Sequence, residues 1–425
     1  SRIETSNQFA RLNPQFTSGF GATVTQPLLR GRRIDAERRQ IRLARRAADL
    51  TDAQLRQVLE TQLTLVEQAY WDLVFAVNNL EVQRAALEQA QRQVESNERQ
   101  VKEGTLAPID VVEAQIQVAN FRQAVASAQQ ALTDAENRLK TLMLADRTSP
   151  VWSQPLIPDA PTDRPVPAIS LEEAVRAALA RRPELTALAA LEEQNEIDRE
   201  YFRDQTRPQL DLVGSYSLAG LAGSPIASAG NPLSGNDAAM LARLNELSVL
   251  AGLTPIEAQT GGGSTVPSFL AGRYGDSLSN LFDARFPTAV VQLQMELPLR
   301  NRTARANLAR AQITAAMIER QRQQLGQAIE SEVRSALQAV QSARERLEAA
   351  ASARRNSTEQ FESERRRFES GLSTVFLVLE RQTSLVTAQA QELRARADLN
   401  QAIARLELAT GGTLERFGVS LSGTN

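Results

Sequence analysis

From residue 59 to residue 101 an apolar side chain returns every seventh position: Leu59, Val66, Leu73, Leu80, Leu87, Val94 and Val101. Arg, Gln, Glu and Ala fill most of the space between them. Past Gly104 the same spacing resumes at Val111, Val118, Val125, Leu132 and Leu139. A seven-residue repeat puts its members on one narrow stripe of a helix, the seam of a coiled coil. Moved 267 residues along the chain, the pattern falls on Val333, Val340, Leu347, Phe361 and Phe368, then past Gly371 on Val378, Leu385, Leu399 and Leu406. Gly326, Arg354 and Glu392 are its breaks. A shared offset and a shared phase predict one helical hairpin present twice, turning at Gly104 and again at Gly371. The arms are long: residues 32–103 hold neither Gly nor Pro, and 302–370 hold only Gly326. At 1.5 Å per residue such an arm extends roughly 100 Å, and with one thin apolar seam it needs other long helices beside it.

Three segments alternate with period two instead. Phe16, Phe20, Ala22 and Val24 oppose Thr17, Gly19, Thr23 and Thr25; Leu210, Leu212, Tyr216 and Leu218 oppose Gln209, Asp211, Ser215 and Ser217; Ala289, Val291, Leu293, Met295 and Leu297 oppose Thr288, Gln292, Gln294 and Glu296. These predict strands of about eleven residues, apolar on one side and polar on the other. Two of them run into the long helices through TQPLLRGR and ELPLRNR. Pro27 and Pro298 end those strands, because proline has no N–H for a ladder and a fixed φ.

The chain thus divides into a first repeat, residues 1–145 (strand about 16–28, hairpin about 32–145), a Pro-rich linker over 146–170, and a second repeat, 171–425. The second repeat holds short helices over about 171–206, strands over about 208–220 and 286–298, a Gly/Ser/Pro-rich loop over 219–285, and a hairpin over about 302–410. Ser170 and Glu173 form a capping box for the first short helix, and a further short helix is expected around Asp237–Leu250. The first repeat opens near the counterpart of the second strand, so a helix pair and a first strand are expected to be missing ahead of it.

Composition narrows the function classes. Among 425 residues, 48 basic and 50 acidic side chains leave a net charge of −2, which gives no footprint for nucleic acid. There is no Cys and no His, which excludes Cys/His metal sites, thiol nucleophiles and imidazole-dependent triads. No Gly-rich phosphate loop is present. Neither an enzyme nor a bound metal or cofactor is expected. No stretch reaches the ~20 apolar residues of a membrane-spanning helix, whereas membrane β-strands are short and alternating. The sequence opens with SRIETSNQF and shows no signal peptide, as expected if one was removed or the N-terminus was trimmed.

In order and spacing, TQPLLRGRR, GTLAPIDVVEAQ, GLSTVFLVLERQ and RRPELTALAALEEQNEIDREYFRDQTRPQLDL resemble the TolC family of outer-membrane efflux and secretion channels, over essentially the whole chain. The resemblance implies a mainly α protein with a β-barrel portion. Three copies would form one twelve-stranded outer-membrane barrel continuous with a trimeric α-helical tunnel of twelve helices, which projects into the periplasm of a Gram-negative-type bacterium. The short helices after Ser170 would belt that tunnel. The implied function is a passive exit duct for a tripartite efflux or type I secretion system. Its partners would be a periplasmic adaptor, an inner-membrane pump of RND, ABC or MFS type, and outer-membrane lipid.

The resemblance also assigns residues. The tips, Gly104–Thr105–Leu106–Ala107 and Gly371–Leu372–Ser373–Thr374, would dock the adaptor. Asp110, Glu113, Leu377 and Glu380 would lie at the periplasmic aperture, where threefold symmetry makes Glu380 a ring of carboxylates and Leu377 stands where the family has a second acid. The family's closing link from the acid at Asp110 meets Phe368 and Ser373 here instead of a hydroxyl-bearing ring and an arginine. From the residues alone, each tip is also a plain helical turn that needs Gly for φ > 0, and each acid is also a solvated charge at a helix N-terminus. Two other classes remain in view. A periplasmic adaptor carries one hairpin, against the duplication; a soluble coiled-coil scaffold leaves the alternating strands unexplained.

Overall fold

The computed structural model describes residues 1–7, 10–159, 165–226, 237–255 and 266–419. The chain divides into two units. The first, Ser1–Arg39 with Arg199–Ala309, is built on an antiparallel sheet of four strands in the order β1-β2-β3-β4: β1 Arg2–Ile3, β2 Leu12–Pro27, β3 Gln209–Pro225 and β4 Phe286–Glu296. β1 lies ahead of β2 in the chain and pairs with it; at two residues it is too short to alternate. β3 runs on to Pro225, past residue 220, because AGLAGSP keeps pairing with Leu12–Gly19.

The register makes three separate alternations into one surface. Phe20 lies opposite Leu218, Ala22 opposite Tyr216 and Gln26 opposite Leu212; across the next ladder Tyr216 faces Ala289, Leu212 faces Leu293 and Leu210 faces Met295. Directly opposed residues share a face, so one side of the sheet is an apolar band and the other carries Thr, Ser and Gln. The band is not covered: Val24 is 70% exposed and Val291 78%. β4 is exposed along its whole length.

Where β2 gives way to helix, Gly31 adopts φ +80°, a conformation that costs glycine nothing. Its N–H donates to the buried Asp204 Oδ2 at 2.6 Å, Leu28 N–H donates to Leu210 O at 2.7 Å, and Arg30 hydrogen-bonds Gln209.

The second unit, Gln40–Asp198 with Arg310–Asn425, is helical. Its long elements are α1 Ala36–Lys102, α2 Pro108–Met143, α7 Arg302–Glu369 and α8 Val375–Ala409; α3 Leu171–Arg181 and α4 Pro183–Gln205 are shorter, and α9 Thr413–Arg416 is a single turn. α5 Asp237–Leu250 and α6 Tyr274–Phe282 belong to the sheet unit. The 267-residue offset carries the end of α1 onto the end of α7 and the start of α2 onto the start of α8. None of the heptad residues Leu59 to Val101 is exposed, and Leu73 and Leu80 are fully buried. Three residues beyond each lies a second row, of which Ala69, Ala76, Ala90 and Asn97 are buried. Small side chains there let the arms approach closely.

The core is a string of small clusters, as expected for helices that bury only a seam. Ala69, Leu73 and Leu139 close the first hairpin; Val340, Ala343, Leu399, Ala402, Ile403 and Leu406 close the second. Ala174 and Ala178 of α3 pack on Ile329, Val333 and Ala409, positioned by the Ser170–Glu173 capping box. Arg354 and Glu392, two of the breaks in the heptad pattern, form an ion pair with each other. Among the described residues no helix is long and apolar enough to cross a membrane.

Candidate functional site

Both hairpins reverse by the same backbone device. Gly104 and Gly371 each have φ +72°. Thr105 N–H donates to Gln100 O at 2.9 Å and Gly104 N–H to Val101 O at 3.1 Å; Leu372 N–H donates to Arg367 O at 2.8 Å and Gly371 N–H to Phe368 O at 2.9 Å. This is the Schellman pair of bonds, which satisfies the last carbonyls of a helix. The returning helices start differently. α2 has Ala107 as an extended N-cap without a side-chain bond and Pro108 in its first turn, where the absent N–H costs nothing. α8 uses Thr374, whose hydroxyl accepts from Leu377 N–H at 3.4 Å.

A polar brace tightens each turn. Asn97, wholly buried, donates from Nδ2 to Asp110 O at 3.2 Å and accepts from Gln93 Nε2 at 2.8 Å. Its counterpart under the repeat is Glu364, which accepts from the Ser373 hydroxyl and from Arg367 Nη1 at 3.4 Å. The seam's heptad residues did not point to either, because both sit three positions further on, in the row of small and polar residues. That row is the signal that would have found them.

The two tips meet. Leu106 of the first and Phe368 of the second pack on the cluster of Ala114, Val375 and Leu379. Just past the turns, α2 and α8 enclose a groove of about 390 Å³ lined by Glu113, Ile116, Gln117, Phe376, Leu379, Glu380, Thr383 and Ser384, and Gln117 Nε2 donates to Thr383 Oγ1 across it at 2.9 Å. Glu113 and Glu380 occupy the same position of the repeat and share this groove. Glu380 is exposed, and Asp110, Glu113 and Leu377 are half-buried. Neither Asp110 nor Leu377 lines the groove. Ser373 is engaged with Glu364 inside its own hairpin. Of the remaining tip residues, Thr105, Ala107, Leu372 and Thr374 are exposed. Ile109, 62% exposed, and Phe376, 60%, again one repeat apart, flank the turns.

Two helices returning side by side from glycine turns, in a chain that also carries an amphipathic sheet, is an arrangement with known relatives. The sequence profile of the outer membrane efflux protein family matches residues 5–143 and 268–412. The chain belongs to that family. Each matched segment holds one long hairpin and the strand ahead of it. The fold is similar to that of CusC, at 18% identity and a TM-score of 0.65, covering 97% of this chain and 81% of that one. It is similar also to the outer membrane protein VceC of Vibrio cholerae, at 14% identity and a TM-score of 0.61 over 93% and 87% of the two chains. The Campylobacter jejuni outer membrane channel CmeC matches at 14% identity and a TM-score of 0.61, covering 97% of this chain and 82% of its own. A comparison with curated proteins by sequence finds no match. As an outer membrane efflux protein the chain falls among channel proteins.

Proposed function

We propose that this protein is the passive exit duct of a tripartite efflux or type I secretion system. Three copies close their sheets into one barrel and their hairpins into one tunnel. The observation that carries this reading is the sheet: an uncovered apolar face on one side, a polar face on the other, and β1 and β4 as its edges. Open edges are not tolerated in hydrocarbon, and closure removes them. Counting β1, two residues long here, as the fourth strand, three chains give twelve, and β2, β3 and β4 each reach the ~9–11 residues that a tilted membrane strand requires. In this reading residues 1–145 and 171–425 are two repeats joined by the linker 146–170. The tips Gly104–Ala107 and Gly371–Thr374 dock a periplasmic adaptor, and an inner-membrane pump of RND, ABC or MFS type supplies the energy.

Asp110, Glu113, Leu377 and Glu380 form the periplasmic aperture. The exposure of Glu380 and its shared groove with Glu113 support this placement, because three such carboxylates around a narrow axis favour cations. Light scattering of the detergent-solubilised protein is expected to give a trimer, and a monodisperse monomer would refute the architecture. In planar bilayers Glu380→Gln is expected to reduce cation selectivity, and Asp110→Asn to reduce it less. The reverse order would mean that the two hairpins occupy each other's places at the pore.

A further inference from the structure

Helix α6 buries polar side chains and exposes most of its large apolar ones. Ser277 is 0% exposed and Asn280 4%, beside one buried apolar residue, Leu281. Tyr274 is 50% exposed, Leu278 39% and Phe282 79%. Those three stand four residues apart and so form one stripe along the helix. Phe269 and Phe286 add further exposed aromatic surface nearby in the chain.

The polar side is fixed to the sheet by its backbone. Ser277 Oγ donates to Gly220 O at 3.0 Å and Ser18 Oγ to Ser277 O at 2.8 Å. Asn280 Nδ2 donates to Leu221 O at 2.9 Å and to Phe269 O at 2.6 Å. A Cβ at Gly220 would lie 1.9 Å from Ser277 O, so glycine is required for this seat. Ser18 pairs directly with Gly220, and both share the face of Phe16, Phe20, Leu218 and Ala222. The Phe16 ring meets Tyr274 edge-on at 6.3 Å. Helix α6 therefore lies on the apolar face, not on the polar one.

Its height on that face is informative. From Leu210, beside the strand-to-helix turn, to Leu218 the band runs nine residues, close to the length of a tilted membrane strand. Gly220 comes two residues later, at the far limit of the band. An element whose buried polar groups are satisfied by protein and whose Leu278 and Phe282 are exposed beside a Tyr274 anchored on Phe16, set at the margin of an apolar band, matches the amphipathic chemistry of a membrane–water interface, where aromatic rings concentrate.

We infer that α6 is an outer-leaflet anchor: Tyr274, Leu278 and Phe282 enter the boundary between lipid headgroups and acyl chains, with Gly220, Ser18 and Ser277 as their seat. The occupant is lipid because the stripe continues the exposed band of Phe20, Val24 and Val291. The inference rests on the reading of that band as the membrane face, and the test separates the two.

The chain has no cysteine, so single-cysteine variants take a fluorescent label at one site. Full-length Phe282→Cys, Leu278→Cys and Val291→Cys are labelled, reconstituted into phosphatidylcholine vesicles, and exposed to brominated lipids and to aqueous iodide. The Val291 label is expected to lose intensity to bromine placed deep in the acyl chain. The Phe282 and Leu278 labels are expected to lose it to bromine near the headgroup and to be shielded from iodide. Adding Gly220→Val to Phe282→Cys should abolish the lipid quenching at residue 282, and the same change beside Val291→Cys should leave quenching at 291 intact. If 291 is quenched by lipid while 282 and 278 answer only to iodide, α6 stands in water and the inference fails. If 282 and 278 answer to neither, another copy of the chain covers them, and it fails equally. A Val291 label blind to lipid overturns the membrane reading of the sheet, and the anchor with it.

Discussion

The two hairpins share a backbone and differ in what fills it. Both turn at a glycine with φ +72°, both close with the same pair of carbonyl bonds, and both tie the turn with a polar side chain at the same repeat position, Asn97 or Glu364. The side chains along the seam have diverged. Where the first repeat has Leu87 and Val125, the second has Arg354 and Glu392, paired with each other. Where the first has Leu59, the second has Gly326, with no atom near enough to touch a Cβ there. Where the first has Glu60, buried, the second has Gln327, exposed. Turn geometry is held because a left-handed residue and unsatisfied carbonyls leave few alternatives. Seam chemistry drifts because a long helix pair has many seam positions, and a charge at one is tolerated once its opposite appears across from it.

The ion pair offers the largest test of that account. Glu392→Val alone leaves Arg354, and Arg396 at 3.2 Å, facing an apolar seam, and is expected to cost about 1.5–3 kcal/mol, the worth of hydrogen bonds to a charged group. Arg354→Leu with Glu392→Val restores the first repeat's apolar pair and should recover most of that loss, since a well-packed apolar pair generally matches a desolvated ionic one. A double-mutant cycle on thermal unfolding checks it. If the double variant falls by the sum of the two single losses, the charges act independently and the seam comparison is wrong.

The turns should respond alike where the seams do not. Gly104→Val and Gly371→Val each force a β-branched residue into the left-handed region, at about 1–2 kcal/mol. No atom approaches a Cβ at either site, so the cost is conformational, and asparagine should be tolerated far better than valine. Equal losses of stability are expected at the two sites. Unequal losses would show that one tip bears a contact the other lacks. Export falling at unchanged stability would mark the tip as a docking surface as well as a turn.

Much of this was legible in the sequence, and the exceptions have a common cause. Heptads over forty residues and alternation over eleven are strong signals, so the arms, the turn glycines and the three longer strands could be read directly, as could α5 at Asp237–Leu250. The breaks Arg354 and Glu392 were visible, but their pairing was not, because nothing local connects positions 38 residues apart. What escaped notice does not look hydrophobic. The alanine row beside the seam is apolar but too small to stand out, whereas the brace Asn97 and the helix α6, which buries Ser277 and Asn280 while exposing Phe282, invert the expectation that buried means apolar. At the tips the positions of Glu113 and Glu380 came from the repeat, whereas the groove that joins them requires α2 and α8 to lie side by side.

The smallest effect expected concerns Glu60 and its counterpart Gln327. Burial pushes the Glu60 carboxyl above the ordinary carboxylate range, and Glu184 pushes the same way, against Arg182 and Arg56. A carboxyl with a raised pKa binds its proton more tightly in the folded chain than in the unfolded one, so ionising it disfavours the fold. This contribution worsens as pH rises from the ordinary carboxylate range through the raised pKa, and it is relieved as pH falls back. Glu60→Gln gives the first repeat the residue of the second and removes the charge. It is expected to raise the unfolding temperature at neutral pH, by less than either turn variant lowers it, and to lose that advantage once the pH is low enough to protonate Glu60 in both states. Thermal unfolding of the two proteins across that range decides the matter. An advantage that persists undiminished in acid would place the effect in packing. A loss at neutral pH would mean that attraction by Arg182 and Arg56 outweighs burial, and that the first repeat retains its buried acid as a partner for Arg182, beside Glu184 at 3.0 Å.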